Sequence, residues 1–507
     1  MSRVFTTAMA MVLLMVCTAR ATITPASSLR SEPVDPVENA TQLVQQAFND
    51  LNHNDAAAGE AELSRAIDAK GFAGIPSDLR YRALLVASLT AEQNGQNTKA
   101  HDFIVRATAL DEAGDAAWTT RLSTAFSIAN YDDASHSLTI LAQRWPERLS
   151  GLNAGAIMQL HYQLGLARDH GADRAMLDAL FDARWQAKGV EPSALWRALA
   201  LLHIQSHEVA RASTVALRIT SGRVALSMLV DKRFDTITRG HPGAFDVDRL
   251  VATEIKSALA HAKAHPDQLA PITDLQDLFL ATGEYPRVLS VSDAAVAEVE
   301  RRNGAKTYTD FDDRYNWVLD NRARALQREG RWDDAVRVRV RAARRPENGG
   351  MNVSQLINLG ELYADLDQID KAADAIIELG ELSPVGRMQL EGVKLRIALA
   401  RKDNAAIDAA MAYLRKHRAD DLAAWEDALL LRGDLDGAAA LLIERLGNLD
   451  WRNDALVDMQ HYIRVARTPA QTVIQDRWSA LTARPDVQAA MLKVGRVEQF
   501  HMAAPPR

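Results

Sequence analysis

From about Ala40 to the C-terminus, apolar residues recur every three or four positions, in runs separated by short polar breaks. That spacing puts the apolar residues on one face of an α-helix. Alternation with period two, the mark of a half-buried strand, is nearly absent. The pattern therefore predicts a chain of helices with little or no sheet. Ahead of it, Thr22–Val37 (TITPASSLRSEPVDPV) is rich in Pro, Ser and Thr and has no period, so residues 22–38 read as a flexible linker.

The helical runs come in pairs. In residues 353–386, Leu356, Leu359, Gly360 and Tyr363 share one stripe. A break follows at Asp365–Asp370, Ala372, Ile376 and Leu379 form a second stripe, and Pro384 closes the unit. Gly360 and Ala372 fall where two antiparallel helices would touch most closely, and a bulky side chain there would overpack. Leu84, Gly95, Ala100, Ile104 and Ala107 repeat the theme, as do Trp118, Ala134, Leu138, Leu141 and Pro146, with Leu122 at the usual small position. Further units carry turns at Gly283-Glu284-Tyr285, Gly330-Arg331-Trp332 and Arg432-Gly433-Asp434, and Leu390–Ile397 with Ala406–Leu414 make another.

These units resemble the tetratricopeptide repeat, a helix–turn–helix of about 34 residues with a W-x2-L-G-x2-Y…A-x3-F…P pattern. Leu356 stands in the place of its Trp and Ile376 in the place of its Phe. The resemblance implies an all-α fold, a right-handed α-α superhelix or solenoid of helical hairpins. It also implies a binding surface rather than an active site. We expect an N-terminal array over 39–149, irregular helical hairpins over 150–265, a C-terminal array over 266–450 and a helical cap and tail over 451–507. Arg239–Gly243 marks a possible break between arrays, and Pro469–Gly495 a capping helix pair.

Composition fits a globular chain: 507 residues, 48% hydrophobic and 25% charged, with a net charge of −7. That balance argues against a nucleic-acid partner. The N-terminus changes the picture more. Arg3, the apolar run Ala8–Cys17 and the small-x-small site Ala19-Arg20-Ala21 predict a signal peptide over 1–21. The expected address is periplasmic or secreted, with cleavage near Ala21 and no membrane span in the mature chain. The single cysteine, Cys17, lies inside that signal. The mature chain would then have no disulfide and no thiol chemistry.

Candidate chemistry is sparse. His203 with His207 and Glu208, and His261 with His265, have the i,i+4 spacing that puts two imidazoles on one helix face. Two ligands do not make a site, so surface or packing roles are expected, with no metal and no cofactor. Asp310–Asp313 and Asp365–Asp370 sit where helices start or turn, and we read them as caps. No nucleophile with a base partner is recognisable, and we expect no enzyme. The resemblance implies a groove lined by the first helix of each pair, with Asn321, Asn358, Arg324, Arg328 and Glu361 as candidate partner-binding residues. Met388 and Gly392 stand where a carboxylate clamp would need basic residues. Residues 322–345 hold nine arginines, and Arg337, Arg341, Arg344 and Arg345 share a flank. They are candidates for an anion site or for a face balanced by acids on neighbouring repeats. The expected partner is a protein or peptide, and the expected role is an exported scaffold, in cell-envelope assembly or polysaccharide export; the alternatives are an anion- or polysaccharide-binding solenoid using the Arg-rich face, or an enzyme with its site in the irregular region 150–265.

Overall fold

The computed structural model describes residues 35–53, 56–302, 307–346, 350–377 and 379–504. The signal segment, Cys17 and most of the linker lie outside the described residues. Helix α1 (Pro36–Asn52) starts inside the expected linker, because Pro36 and the Asp35 side chain on Val37 N–H supply a ready N-terminus.

The described chain divides into two compact units, at Arg218–Ile219. The first is five helix pairs: α1 with α2 (Ala56–Asp68), α3 (Ser77–Gln93) with α4 (Asn97–Thr108), α5 (Asp115–Ser127) with α6 (Tyr131–Arg144), α7 (Ala154–Ala167) with α8 (His170–Asp182), and α9 (Ser193–Gln205) with α10 (Val209–Ala216). The second begins irregularly with α11 (Gly222–Val230), α12 (Asp235–Gly240) and α13 (Val247–Ala264). Five pairs follow: α14 (Ala270–Thr282) with α15 (Tyr285–Arg301), α16 (Phe311–Arg328) with α17 (Trp332–Ala343), α18 (Val353–Asp365) with α19 (Ile369–Ala375), α20 (Pro384–Arg401) with α21 (Asn404–Lys416), and α22 (Leu422–Arg432) with α23 (Leu435–Gly447). The last helices are α24 (Arg452–Asp458), α25 (Pro469–Thr482) and α26 (Pro485–Val494). No strand is present among the described residues, only isolated bridges.

Nine of the described hairpins turn in one way. A single left-handed residue ends the first helix, with φ between 55 and 76° at Gly95, Ala129, Arg168, His207, Gly283, Gly330, Asp367, Lys402 and Gly433. The N–H of the next residue then reaches back to the carbonyl five positions earlier. Gln96 to Ala91, Glu208 to His203 and Gln368 to Tyr363 are examples, at 2.8, 2.9 and 2.8 Å. This closure satisfies a carbonyl that the helix end would leave orphaned. Residues 150–218, where the sequence pattern is loose, hold two such hairpins, so the irregularity there is in residue identity and not in the turn.

The expected second stripe of residues 353–386 is cut short. Helix α19 ends at Ala375, while Ile376 stays buried and Leu379 and Leu382 pack on the same core from non-helical chain. Pro384 does not close this unit. It opens α20, with the Ser383 side chain capping Gly386 N–H. A residue ahead of proline is pushed out of the helical region, so the chain must leave the helix before it arrives.

In the second unit, α14 packs on α16, α18 on α20 and α20 on α22, and the Asn358 side chain links α18 to Asp320 of α16, while the second helices of each pair pack mainly on first helices. The first helices therefore form the inner layer. The array also closes on itself: α11 packs against α24, and Arg496 N–H donates to the Val230 carbonyl at 3.0 Å.

Candidate functional site

The inner layer is held by close approach and by polar contacts between successive first helices. A Cβ on Gly360 would lie 2.9 Å from Ile376 and 3.4 Å from the Ala372 carbonyl. The two small residues therefore sit at the crossing of α18 and α19, as the sequence suggested. Within each unit the left-handed turn recurs at spacings from 31 to 47 residues, with 34 from Gly95 to Ala129 and 35 from Asp367 to Lys402, as a repeat of helical hairpins requires. This is a tetratricopeptide-like array of helical hairpins.

The sequence matches no family model and no curated protein. Solved structures do resemble it. A tetratricopeptide repeat protein from Parabacteroides merdae is 12% identical, with 70% of this chain and 98% of that chain covered and a TM-score of 0.28. Yeast Tom70 is 13% identical, with 90% and 100% covered and a TM-score of 0.22. Neither score reaches a shared global arrangement, so the tetratricopeptide character rests on this chain's own hairpins.

Within the array, the candidate partner-binding residues join a ladder across the inner helices. Asn321 on α16 donates from Nδ2 to Asp277 on α14 at 3.1 Å, and its Oδ1 accepts from Arg324 at 3.0 Å. Asn321 is buried, so both ends of its amide are spent on the fold. Asn358 on α18 donates to Asp320 on α16 at 2.9 Å, and Arg339 from α17 pairs with the same carboxylate. Arg396 on α20 reaches Glu361 at 3.2 Å and Asp365 at 3.3 Å on α18. Asn321, Arg324, Asn358 and Glu361 are thus brought onto one layer, each tied to the next helix. Asp277, Asp320, Asp365 and Arg396 complete the ladder; Asp277, Asp320 and Arg396 were missed in the sequence, and Asp365, read there as a cap, instead accepts from Arg396 and Gln471. The signal for them was weak, because single charged residues on a helix face read as solvated.

What stays accessible on this layer is charged. The side chain of Asp277 is 63% exposed and that of Glu361 49%. Crowding still desolvates Asp277, and its carboxyl is pushed above the ordinary value against the pull of Arg324 and Asn321. Burial does the same to Glu254 on α13, although the Gly222 N–H donates to it at 2.8 Å.

The arginine-rich flank is largely neutralised. Arg337 pairs with Asp334, and Arg341 with Glu300 at 2.9 Å and the Tyr315 hydroxyl at 2.9 Å. Arg345 lies over the rings of Phe311 and Tyr315, 4.5 and 4.9 Å from their centroids. Arg337, Arg341 and Arg344 are exposed, so α17 and the residues that end it present three of the four candidates outward and turn the fourth onto aromatics.

The histidine pairs do not converge on an ion. His203 is buried, with Nδ1 at 2.8 Å from Glu208 and Nε2 at 3.0 Å from Asp178. His207 is the left-handed turn residue, exposed and off the helix. His261 and His265 meet edge to face at 4.6 Å. No group of metal-ligating residues is present among the described residues. Asp310 is a cap, but for another helix: its carboxylate accepts from Leu269 and Ala270 N–H, at 2.7 and 2.8 Å, at the start of α14.

The C-terminal segment follows one rim of the array. Ala466 N–H donates to the Arg328 carbonyl at 3.2 Å and Ala503 N–H to the Ala281 carbonyl at 2.7 Å. Arg477 donates to the carbonyls of Leu430 and Leu431, at 2.6 and 2.8 Å. Each acceptor lies in the last turn of an inner helix, where carbonyls lack intrahelical partners. Ala503, in the expected tail, is buried.

Proposed function

We propose that the chain is a non-enzymatic scaffold that holds a protein or peptide partner on the inner layer of its second unit. The observation that carries this reading is the ladder. It fixes Asp277, Arg324 and Glu361 on successive helices while leaving their charged edges accessible. A rigid row of charged groups at helical-repeat spacing recognises an extended chain without needing to reorganise. The N-terminal signal in the sequence supports action after export, and envelope assembly or polysaccharide export is the setting we favour. No described helix is long and apolar enough to cross a membrane.

The test is capture from the native envelope fraction, comparing the mature chain with the triple variant Asp277→Asn, Arg324→Ala and Glu361→Ala. Asp277→Asn keeps an acceptor for the buried Asn321 amide, and a thermal melt of the variant checks that it folds. A partner held by the mature chain and lost by the variant supports the reading. A partner held equally by both contradicts the inner-layer site, and no partner at all contradicts the scaffold. Sequencing the exported protein's N-terminus checks cleavage after Ala21.

A further inference from the structure

The inner layer of the second unit shows solvent an uneven set of side chains. Among the described residues, α14 exposes only Asp274 and Asp277, and α18 only Glu361. Helix α16 exposes Asp312, Asp313 and Arg314 in its first turns and, beyond them, only Trp317. These three helices therefore offer five exposed carboxylates and one exposed guanidinium. The nearby arginines are held lower. The Arg324 side chain is 28% exposed and lies 3.9 Å from Asp277. Arg396, reaching from α20, is 14% exposed and serves both Glu361 and Asp365. Arg322 is spent on Asp293 of α15 at 2.6 Å. Arg223, exposed on α11, also acts on Asp277.

Trp317 is the second feature. Of the nine tryptophans it alone is exposed; the others are buried or half-buried. Tryptophan is usually well covered, so an open indole on an inner face calls for an occupant. Elsewhere this chain sets cations on indoles: Arg121, Arg144 and Arg218 lie over Trp118, Trp145 and Trp196, at 5.1, 4.3 and 5.3 Å. Trp317 stands one turn before Asn321 on the same face of α16, and the Asn321 amide meets Asp277 of α14 at 3.1 Å. Asp313 stands one turn before Trp317. The indole thus belongs to a row with a carboxylate on its own helix and another across the contact with α14.

We propose that this face holds a basic, extended segment of a protein partner, with an arginine or lysine over the Trp317 indole and others against Asp277 and Glu361. The proposal rests on the scaffold reading and names the partner's chemistry. A guanidinium over an indole keeps its N–H groups free for a carboxylate beside the ring, so ring and acid act on one side chain. Inner helices two steps apart stand on the order of 20 Å from one another, which about six residues of extended chain can cross. Asp277 and Glu361 are placed to take cations near the two ends of such a segment.

The test is fluorescence anisotropy of the full mature chain with labelled octa-arginine, against octa-glutamate and octa-glutamine. The chain should bind the arginine peptide, less tightly as salt rises, and neither of the others. Trp317→Leu keeps an apolar side chain and removes the π face, and should weaken binding roughly fivefold. Asp277→Asn with Glu361→Gln should weaken it roughly tenfold. The chain carries a net charge of −7, so general attraction needs its own control. Asp370→Asn with Asp436→Asn removes two exposed carboxylates outside the inner layer and should bind as the parent does. Thermal melts check that each variant folds. No binding of the arginine peptide, parent-like affinity in Trp317→Leu, or equal loss in the two charge variants would each overturn the proposal. Spermine competing as strongly per charge as the peptide would overturn the segment assignment in favour of a small-polyamine site. Envelope capture separates this proposal from the scaffold reading. A partner held by the parent chain that fails to bind octa-arginine leaves the scaffold standing and removes the basic segment, whereas no partner for the parent chain removes the scaffold whatever the peptide does.

Discussion

Ala466 donates its backbone N–H to the carbonyl of Arg328 at 3.2 Å, across more than a hundred residues of intervening chain. The bond joins the C-terminal segment to the last turn of an inner helix, and similar bonds recur at Ala281, Leu430 and Leu431. Removing residues 461–507 leaves the carbonyls of Ala281, Arg328 and Leu431 without these partners, while that of Leu430 keeps the Gly433 N–H at 3.0 Å. We expect a loss of about 1 kcal/mol for each such bond in the second unit. Hydrogen exchange should quicken at the last turns of α14, α16 and α22 in the truncated chain. Unchanged exchange there would show that the segment only rests on the rim.

The left-handed turns carry a second expectation. Lys402 and Arg168 occupy positions, at φ 55 and 58°, that glycine fills in four other hairpins. A side chain in that region costs roughly 1–2 kcal/mol, part of which glycine gives back as unfolded-state freedom. Lys402→Gly and Arg168→Gly should therefore stabilise by about 0.5–1 kcal/mol in denaturant titrations. Asp367→Gly should gain least, since aspartate tolerates this region better.

The glycine turns predict the reverse, unequally. Gly95 and Gly283 have φ of 73 and 76°, but a Cβ at Gly95 meets nothing within 4 Å. One at Gly283 would press on the end of the Ile463 side chain. Gly95→Ala should cost about 1 kcal/mol from backbone strain alone. Gly283→Ala should cost more, and pairing it with Ile463→Ala should recover the difference. Equal costs in thermal melts would remove Ile463 from the contact.

Arg445 is buried between Glu426, at 2.8 Å, and Asp458, at 2.9 Å. Glu426 is fully buried. Replacing Arg445 with Met strands that carboxylate, and we expect a loss of about 3–5 kcal/mol. The double variant with Glu426→Gln should lose clearly less, which a double-mutant cycle measures.

Asp365 gives a pH signature. Desolvation by burial pushes its carboxyl up to about 6, against the pull of Arg396. The folded state therefore holds this proton more tightly than the unfolded chain. Its contribution to stability is fully present below about pH 4 and is lost as pH rises through about 6. Relative to Asp365→Asn, the parent chain should lose stability over that window and stay level above it. A flat difference would mean that the Gln471 amide, donating at 2.7 Å, offsets the burial.

Much of the fold was legible because small residues mark helix crossings. Gly360 and Ala372 could be placed from their spacing alone. The hairpins of residues 150–218 were harder to read, since their turns use Arg168 and His207 where glycine would have signalled them. The same fact explains the misleading His203–His207 spacing: α9 ends at Gln205, so His207 is off the helix. The inner ladder was half legible. Asn321 and Asn358 were placed on the right layer, but the sequence does not show which carboxylate a buried amide will meet. Closure of the second unit was not legible. It depends on contacts such as Arg496 with Val230, which leave no periodic trace.

The most direct measurement is hydrogen exchange of the second unit with and without the captured partner. We expect protection on the accessible faces of α14, α16 and α18, centred on Asp277, Arg324 and Glu361. Protection confined to the outer helices α15, α17 and α21, or none anywhere in residues 219–504, would contradict the scaffold account.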